Sequence, residues 1–300
     1  MSILSKGYRQ YQGVLKGRLH KIWAIAYNAF RVGLSGKRAI FLFILCNLPV
    51  LAFTLMLIFM AIFAPGGVAQ LLLNSFGTLD VALYSIVVVT LNQGTLFLPL
   101  VFISALNAGS IANEKKHNSL ALYLAKPVDR LDYILGKYLG MILISSFVTA
   151  IPWFVFMVVF SLISGYSGAQ FLDTLWVYLS MLAVSLLVIV FIGSIVLLFS
   201  SLTDQSILAG IIAILIIYLP SVIATIIGLV IEASWIQYFS ASSLLSAVAY
   251  LLFNKPSTED GFINFFQPEI SSWGAIAILL AIALSAFLLM VYNLYKEEIQ

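Results

Sequence analysis

The sequence predicts an all-α integral membrane fold with six transmembrane helices, and three observations predict it. Of 300 residues, 62% are hydrophobic and only 9% are charged, where a soluble domain carries about 25% charged and about 45–50% apolar residues. The apolar residues gather into six long unbroken runs, not the ten-residue alternations of barrel strands. Inside lipid every backbone polar group has to be satisfied within the chain, so these runs are helices. The same composition excludes nucleic-acid binding, a disulfide-stapled secreted scaffold and ordinary cytosolic catalysis. The single cysteine, Cys46, permits no internal disulfide.

Taken in order, the chain opens on a basic segment. Lys6, Arg9, Lys16, Arg18, Lys21, Arg31, Lys37 and Arg38 precede the first apolar run with no acid among them. Within it, residues 21–38 read as an amphipathic helix. Lys21, Asn28, Arg31, Ser35 and Arg38 share one face, and Ile22, Ile25, Ala26, Ala29 and Phe30 the other, with Trp23 and Tyr27 flanking. Such a helix suits the headgroup region, its basic face to anionic lipid. It serves either as a topogenic anchor or as an elbow that also touches a cytosolic partner. The predicted spans are 39–63, 81–106, 138–164, 174–199, 206–231 and 271–295, each longer than the ~20 residues a crossing needs. The first is too long for a signal-peptide core and is expected to be retained. Pro49, Pro99, Pro152 and Pro220 fall inside spans and are expected to kink them. Residues 235–253 are aromatic and apolar but short and Ser/Ala-rich, and read as a re-entrant or surface helix before the last span. Residues 254–268 form a polar loop with Asp260-Gly261 turn chemistry. The outer loop 232–270 is either a plain exposed lid or a dock for an extracytoplasmic partner. The expected division is 1–38 as a basic N-terminus with its elbow, and 39–300 as the transmembrane domain.

Charge partition predicts the orientation. The eight leading bases, Lys115, Lys116, Lys126, Arg130 and Lys137 between spans two and three, and Lys296 place 14 of 15 basic residues on one side. The other side holds only Lys255, against Asp80, Asp173, Glu232, Glu259, Asp260 and Glu269. By the positive-inside rule both termini are cytoplasmic, in a cell (inner or plasma) membrane. No predicted span contains Asp, Glu, Lys, Arg or His, although ion-coupled carriers and voltage sensors need such groups at mid-membrane. The span polar residues are Asn47, Thr54, Asn92, Gln93, Thr95, Ser145, Ser146, Thr149, Ser185, Ser194 and Thr225, expected mainly to join helices to one another. Any driving energy therefore enters from outside the membrane plane. The chain itself lacks a phosphate-binding Gly-x-x-x-x-Gly-Lys-Ser/Thr loop: at Ser35-Gly36-Lys37-Arg38 both ends fail, with Arg31 and Arg38 at the required positions. An ATPase, with its ATP and magnesium, would be a separate polypeptide.

The other informative segment is 109–140, which reads as helix, break, helix. Leu120 and Leu124 stack at i, i+4; Pro127 disfavours helix at the residue before it, and Asp129 is placed to cap the next helix with Asp132 in its first turn. By itself this is either an ordinary solvated connection or a partner dock. Ile111-Ala112-Asn113-Glu114, Leu120, Pro127-Val128-Asp129-Arg130 and Gly136-Lys137 follow the order Ile-Ala-x-Glu, Gly-Thr-Leu, Pro-[Val/Ile]-x-Arg, Gly-Lys. In that pattern the segment resembles the loop of ABC-2-type transporter permeases, and Trp23, Asn28, Phe30 and Arg31 resemble that family's N-terminal elbow helix. Asn118-Ser119 stands where the family has Gly-Thr.

The resemblance covers essentially the whole chain and implies a type V exporter-like fold, with a cytoplasmic coupling helix in a coupling loop at 107–137. It implies a permease subunit, not an enzyme, that works with a cytosolic ABC ATPase and a second permease chain, as a homo- or heterodimer. On that basis Glu114 is the expected polar anchor of the ATPase contact, with Lys115, Lys116, His117 and Ser119 beside it. Arg130 and Lys137 would orient the loop against the third span. A structural role for Glu114, paired with Lys116 or Arg31, is the alternative. The Thr203-Asp204 turn is a second point within ATPase reach, or a simple helix cap. Other classes remain open on sequence: a secondary transporter or channel, a membrane-embedded enzyme, and a non-transporting assembly factor using the same dock. No metal site is expected. The topology predicts that a cysteine replacing Gln300 is labelled by an impermeant thiol reagent only from the cytoplasmic side, and one replacing Asn254 only from outside. The reverse pattern, Gln300 labelled only from outside and Asn254 only from the cytoplasm, would require a seventh crossing at 235–253.

Overall fold

The computed structural model describes residues 17–63, 87, 91, 93–117, 129–163, 175–231, 233–253 and 269–296. Among them every regular element is helical: α1 Arg18–Leu34, α2 Lys37–Phe63, α3 Gln93–Asn107, α4 Gly109–Lys116, α5 Arg130–Ser146, α6 Ala150–Ile163, α7 Leu175–Leu202, α8 Ser206–Ile231, a 3-10 helix Ser234–Phe239, α9 Ala241–Leu252 and α10 Ser272–Lys296. Six stretches are long and apolar enough to cross a membrane: Ala39–Phe59, Leu96–Lys116, Arg130–Ile163, Leu175–Leu202, Ser206–Gly228 and Ser272–Lys296.

The bundle is arranged around α7. It is the most buried of the six and packs against α3, α4, α5, α6, α8, α9 and α10. α2 and α10 lie at the periphery, with rows of exposed Leu, Ile and Phe such as Phe41, Phe59, Leu280 and Leu284. In a membrane protein such outward apolar rows are what lipid covers.

The third predicted span, 138–164, is not one continuous helix. It begins earlier, at Arg130, and breaks over 147–149 into α5 and α6. Pro152 explains the break. It has no N–H to give the carbonyl of Val148, and its ring would clash there in a continuous helix. The chain tightens instead, with Phe147 N bonding Ile144 O at 3.3 Å and Val148 N bonding Ser145 O at 3.0 Å. Pro152 then sits in the first turn of α6, where a missing donor costs nothing. Pro49, Pro99 and Pro220 do lie within α2, α3 and α8.

The span hydroxyls also behave differently from expectation. Thr54, Ser146 and Ser194 donate to the carbonyl four residues back on their own helix, Thr149 in the break donates to Ser145 O of α5, and Asn47 Nδ2 donates to Phe43 O at 2.7 Å. In an apolar span that carbonyl is the nearest acceptor. Bonds between helices come from other residues: Cys46 Sγ to Leu98 O joins α2 to α3, Ser161 and Tyr178 join α6 to α7, and Ser180 Oγ to Leu252 O joins α7 to α9.

Residues 235–253 form the 3-10 helix and α9. At 12 residues, α9 is only about 18 Å long, too short to cross. The 3-10 helix runs back along α8: Gln237 reaches Gly228, and Ala241 N donates to Ser221 Oγ at 2.8 Å, ten residues before the end of α8. α9 starts there, capped by Ser240 Oγ accepting from Ser243 N, and buries Leu244, Leu245 and Val248 among α7, α8 and α10. The polar loop predicted at 254–268 lies outside the described residues.

α1 turns into α2 at Ser35-Gly36, where Ser35 Oγ bonds Val32 O at 2.8 Å. The apolar face expected to meet lipid is instead packed on α5. Ile22, Ile25 and Ala26 are buried there, and the seam is made by glycine. A Cβ on Gly136 would lie 2.7 Å from Ile25 Cβ, and one on Gly140 would lie 2.7 Å from Ala29 Cβ and 3.0 Å from Ala26 O. Backbones approach this closely only where small residues face each other. The flank left outward carries Leu19, Trp23 and Tyr27, aromatic residues suited to a membrane interface. Gly140→Val should therefore pry α1 from α5 and destabilise the protein by about 1–3 kcal/mol. The readout is a lower melting temperature of the detergent-solubilised chain, with faster tryptic cleavage at Arg31; an unchanged melting temperature would contradict the seam.

Candidate functional site

α3 ends at Asn107, and after a single turn residue the short charged helix α4 begins. Its start lies inside the bundle, where Ile111 and Ala112 are buried. The first N–H groups of a helix have no intrahelical acceptor. Ser200 on α7 meets that need: its Oγ accepts from Ile111 N and Ala112 N, each at 3.0 Å. One hydroxyl thus holds the base of α4 against the central helix.

The next turn of α4 is held by charge. Glu114 Oε1 accepts from Lys137 Nζ at 2.7 Å, and Glu114 Oε2 from the Tyr133 hydroxyl. Lys137 also donates to Ser110 O at 2.8 Å, and its ammonium lies 5.4 Å from the centre of the Tyr133 ring. The Lys137 side chain is only 5% exposed, and a buried ammonium is tolerated only when paired and hydrogen-bonded. Lys115 points the other way, to the end of α7. Carbonyls there lack intrahelical donors and carry the negative end of the helix dipole. Lys115 Nζ donates to Ser201 O at 2.8 Å, and the same oxygen accepts from Asn293 Nδ2 of α10 at 2.7 Å. The Asp204 carboxylate lies 3.8 Å from Lys115.

α5 receives these contacts because its residues fall into rows four apart, and side chains at i and i+4 share a face. Tyr133, Lys137 and Met141 form the row toward α4 and α7, Met141 filling the space over Gly193. Asp132, Gly136 and Gly140 form the row toward α1. Arg130, Ile134 and Tyr138 form the row toward α10. There the Arg130 guanidinium lies 4.4 Å over the Tyr295 ring, and Tyr138 and Phe287 meet edge-on with centroids 5.6 Å apart. The fourth row, Leu131, Leu135 and Leu139, is exposed. Asp132 is buried and accepts a hydrogen bond from Arg18 Nε at the start of α1. That hydrogen bond, and then the attraction of the carboxylate, hold the Arg18 pKa above its ordinary value.

The structure thus brings Glu114 and Lys137 together, and Glu114 meets Lys137 and Tyr133 rather than Lys116 or Arg31. Asp129 stands at the N-cap of α5 but its side chain makes no capping hydrogen bond; its carbonyl accepts the first helical bond, from Tyr133 N at 3.0 Å. Lys116 and His117 are exposed at the tip of α4, with His117 Nδ1 2.7 Å from Asn113 O. On α1, Trp23, Asn28 and Arg31 are exposed, and Phe30 is half-buried with its ring 5.7 Å from that of Phe147. Ser119 lies outside the described residues. Sequence reasoning missed Tyr133, Ser200, Ser201, Asn293 and the Arg18–Asp132 pair. The rows of α5 were legible as i, i+4 spacing, whereas two serines ending an apolar run carry no sign of their partner.

A family model of the ABC-2 family transporter proteins matches residues 23–298. The chain belongs to this family. It is therefore a multi-pass membrane protein and the membrane permease of an ABC transporter, a transmembrane subunit and not a catalytic one. No curated protein sequence matches the chain.

Two measurements check this site in the ABC-2 permease. Ser200→Ala leaves two buried donors without their acceptor and should destabilise by about 1–3 kcal/mol, with faster hydrogen exchange at the amides of Ile111 and Ala112. In a double-mutant cycle, Lys137→Met alone should cost about 3–5 kcal/mol, and adding Glu114→Leu should recover much of it. Additive losses would show that the pair does not interact.

Proposed function

We propose that this permease couples ATP hydrolysis on a separate cytosolic ABC ATPase to substrate export, and that α4 is the helix on which the ATPase acts. Both termini and α4 lie in the cytoplasm, with the chain in the cell membrane. It works beside a second permease chain, while ATP and magnesium stay on the ATPase. The observation that carries the reading is the attachment of α4. Its inner face is tied by Ser200, Glu114 and Lys115 to α7 and α5, while its outer tip presents Asn113, Lys116 and His117. A push on the tip is delivered at once to the central helix α7 and to α5. Charge supports the orientation, since 14 of 15 bases share the side that holds α4. The predicted spans carry no Asp, Glu, Lys, Arg or His to couple to an ion gradient.

In this reading Glu114 works from inside. Its carboxylate meets Lys137 and Tyr133, so it sets the angle at which α4 leaves the bundle, and direct contact with the ATPase falls to Lys116 and His117. Arg130 and Lys137 orient the loop from α5, and Ser119 continues the contact surface beyond α4. The elbow residue Trp23 is exposed on α1 one position from Ile22, which meets Gly136 beside Lys137, whereas Arg31 lies further along α1, next to the Phe30–Phe147 contact. The test is a reconstituted complex with its ATPase. Lys116→Glu combined with His117→Glu should weaken ATPase binding about tenfold or more, or at least ~1.4 kcal/mol, with the melting temperature of the permease unchanged. Wild-type binding and turnover in that variant would remove α4 from the interface.

A further inference from the structure

The seam between α1 and α5 is smooth: Ile22, Ile25, Ala26 and Ala29 on one side, Gly136 and Gly140 on the other. Ile25 seats over Gly136 and Ala29 over Gly140, so shape gives the seam an apolar register. One charged contact interrupts it. Asp132, one turn before Gly136 in the same row, has a side chain 3% exposed and takes the Nε–H of Arg18, whose own side chain is 61% exposed. A buried carboxylate gives less stability than an apolar residue in that place, but it fixes register, because any slip leaves it desolvated and unpaired. Asp132 also sits next to Tyr133, which holds Glu114 of α4. Within one turn, α5 therefore grips α1 with one row and α4 with the next.

We propose that Asp132 is a positioning residue: through its pairing with Arg18 it locks the register of α1 on α5, so that the elbow helix α1 and the ATPase-facing helix α4 move as one body. The proposal rests on the reading of α4 as the helix the ATPase acts on, and extends it to say where the stroke goes. A push at α4 also swings α1, with its exposed Leu19, Trp23 and Tyr27, along the membrane surface.

The experiment is pulsed electron paramagnetic resonance on the full chain with Cys46→Ala, carrying nitroxides at Ala24→Cys on α1 and Lys116→Cys on α4. The chain is held in nanodiscs of phosphatidylcholine and phosphatidylglycerol. A single narrow distance is expected. It should be lost in Asp132→Asn and equally in Arg18→Ala, an exposed site that folding tolerates, and Arg18→Lys should restore it. A narrow distance in Arg18→Ala overturns the proposal, as does failure of Arg18→Lys to rescue. The second arm adds the ATPase and traps it with ATP and vanadate, using Asn113→Cys as the α4 label so that Lys116 and His117 are kept. The α1–α4 distance should stay fixed while each helix moves relative to a label at Trp273→Cys on α10. A change in the α1–α4 distance overturns the proposal. An ATPase that binds without touching or moving α4 overturns the functional reading instead, and leaves the first arm to judge the register lock.

Discussion

The architecture at the charged end of this permease depends on keeping one ammonium out of water. Lys137 enters the bundle as the second turn of α5 ends, on the row that faces α4 and α7, and it is buried there. Such a charge is held only with a counter-charge and further acceptors. Glu114 and Ser110 O supply them, and both belong to α4. The cost of burying Lys137 is thus converted into the fixed position of α4. Once α4 is fixed, its first N–H groups fall on Ser200, and Lys115 reaches the open carbonyl end of α7.

This arrangement separates two tasks that the charged segment has to perform. Residues facing inward hold, and residues facing outward are presented. Because α4 is joined to α7 as well as α5, displacement of its tip reaches the helix that touches most of the bundle. In the proposed reading, energy entering at α4 needs no Asp, Glu, Lys, Arg or His within the predicted spans. That agrees with spans whose hydroxyls satisfy their own helices.

Much of this was legible in the sequence. Six apolar runs and a one-sided charge distribution are strong because lipid admits few alternatives, and the 206–231 span coincides with α8. The order of Glu114, Pro127, Arg130 and Gly136-Lys137 singled out a segment whose Glu114 and Lys137 the structure brings together. What was not legible depends on which helices meet. Eight bases ahead of the first span suggested an elbow lying on lipid, but only the structure shows Ile22 and Ile25 spent on the glycine seam. Glu114 looked like an outward anchor because its partners, Tyr133 and Lys137, are 19 and 23 residues away, beyond any local periodicity. The break at 147–149 was visible as Pro152, but whether a proline kinks a helix or starts a new one is decided by the packing around it.

The central claim is that α4 is held from within by Glu114 and offered to the ATPase by its tip. The most direct measurement is a structure of the permease bound to its ATPase, at a resolution that shows side chains. The account predicts Lys116 and His117 against the ATPase, with the Glu114 carboxylate still on Lys137 and Tyr133. A Glu114 side chain turned outward into the ATPase, or an ATPase seated away from α4, would contradict it.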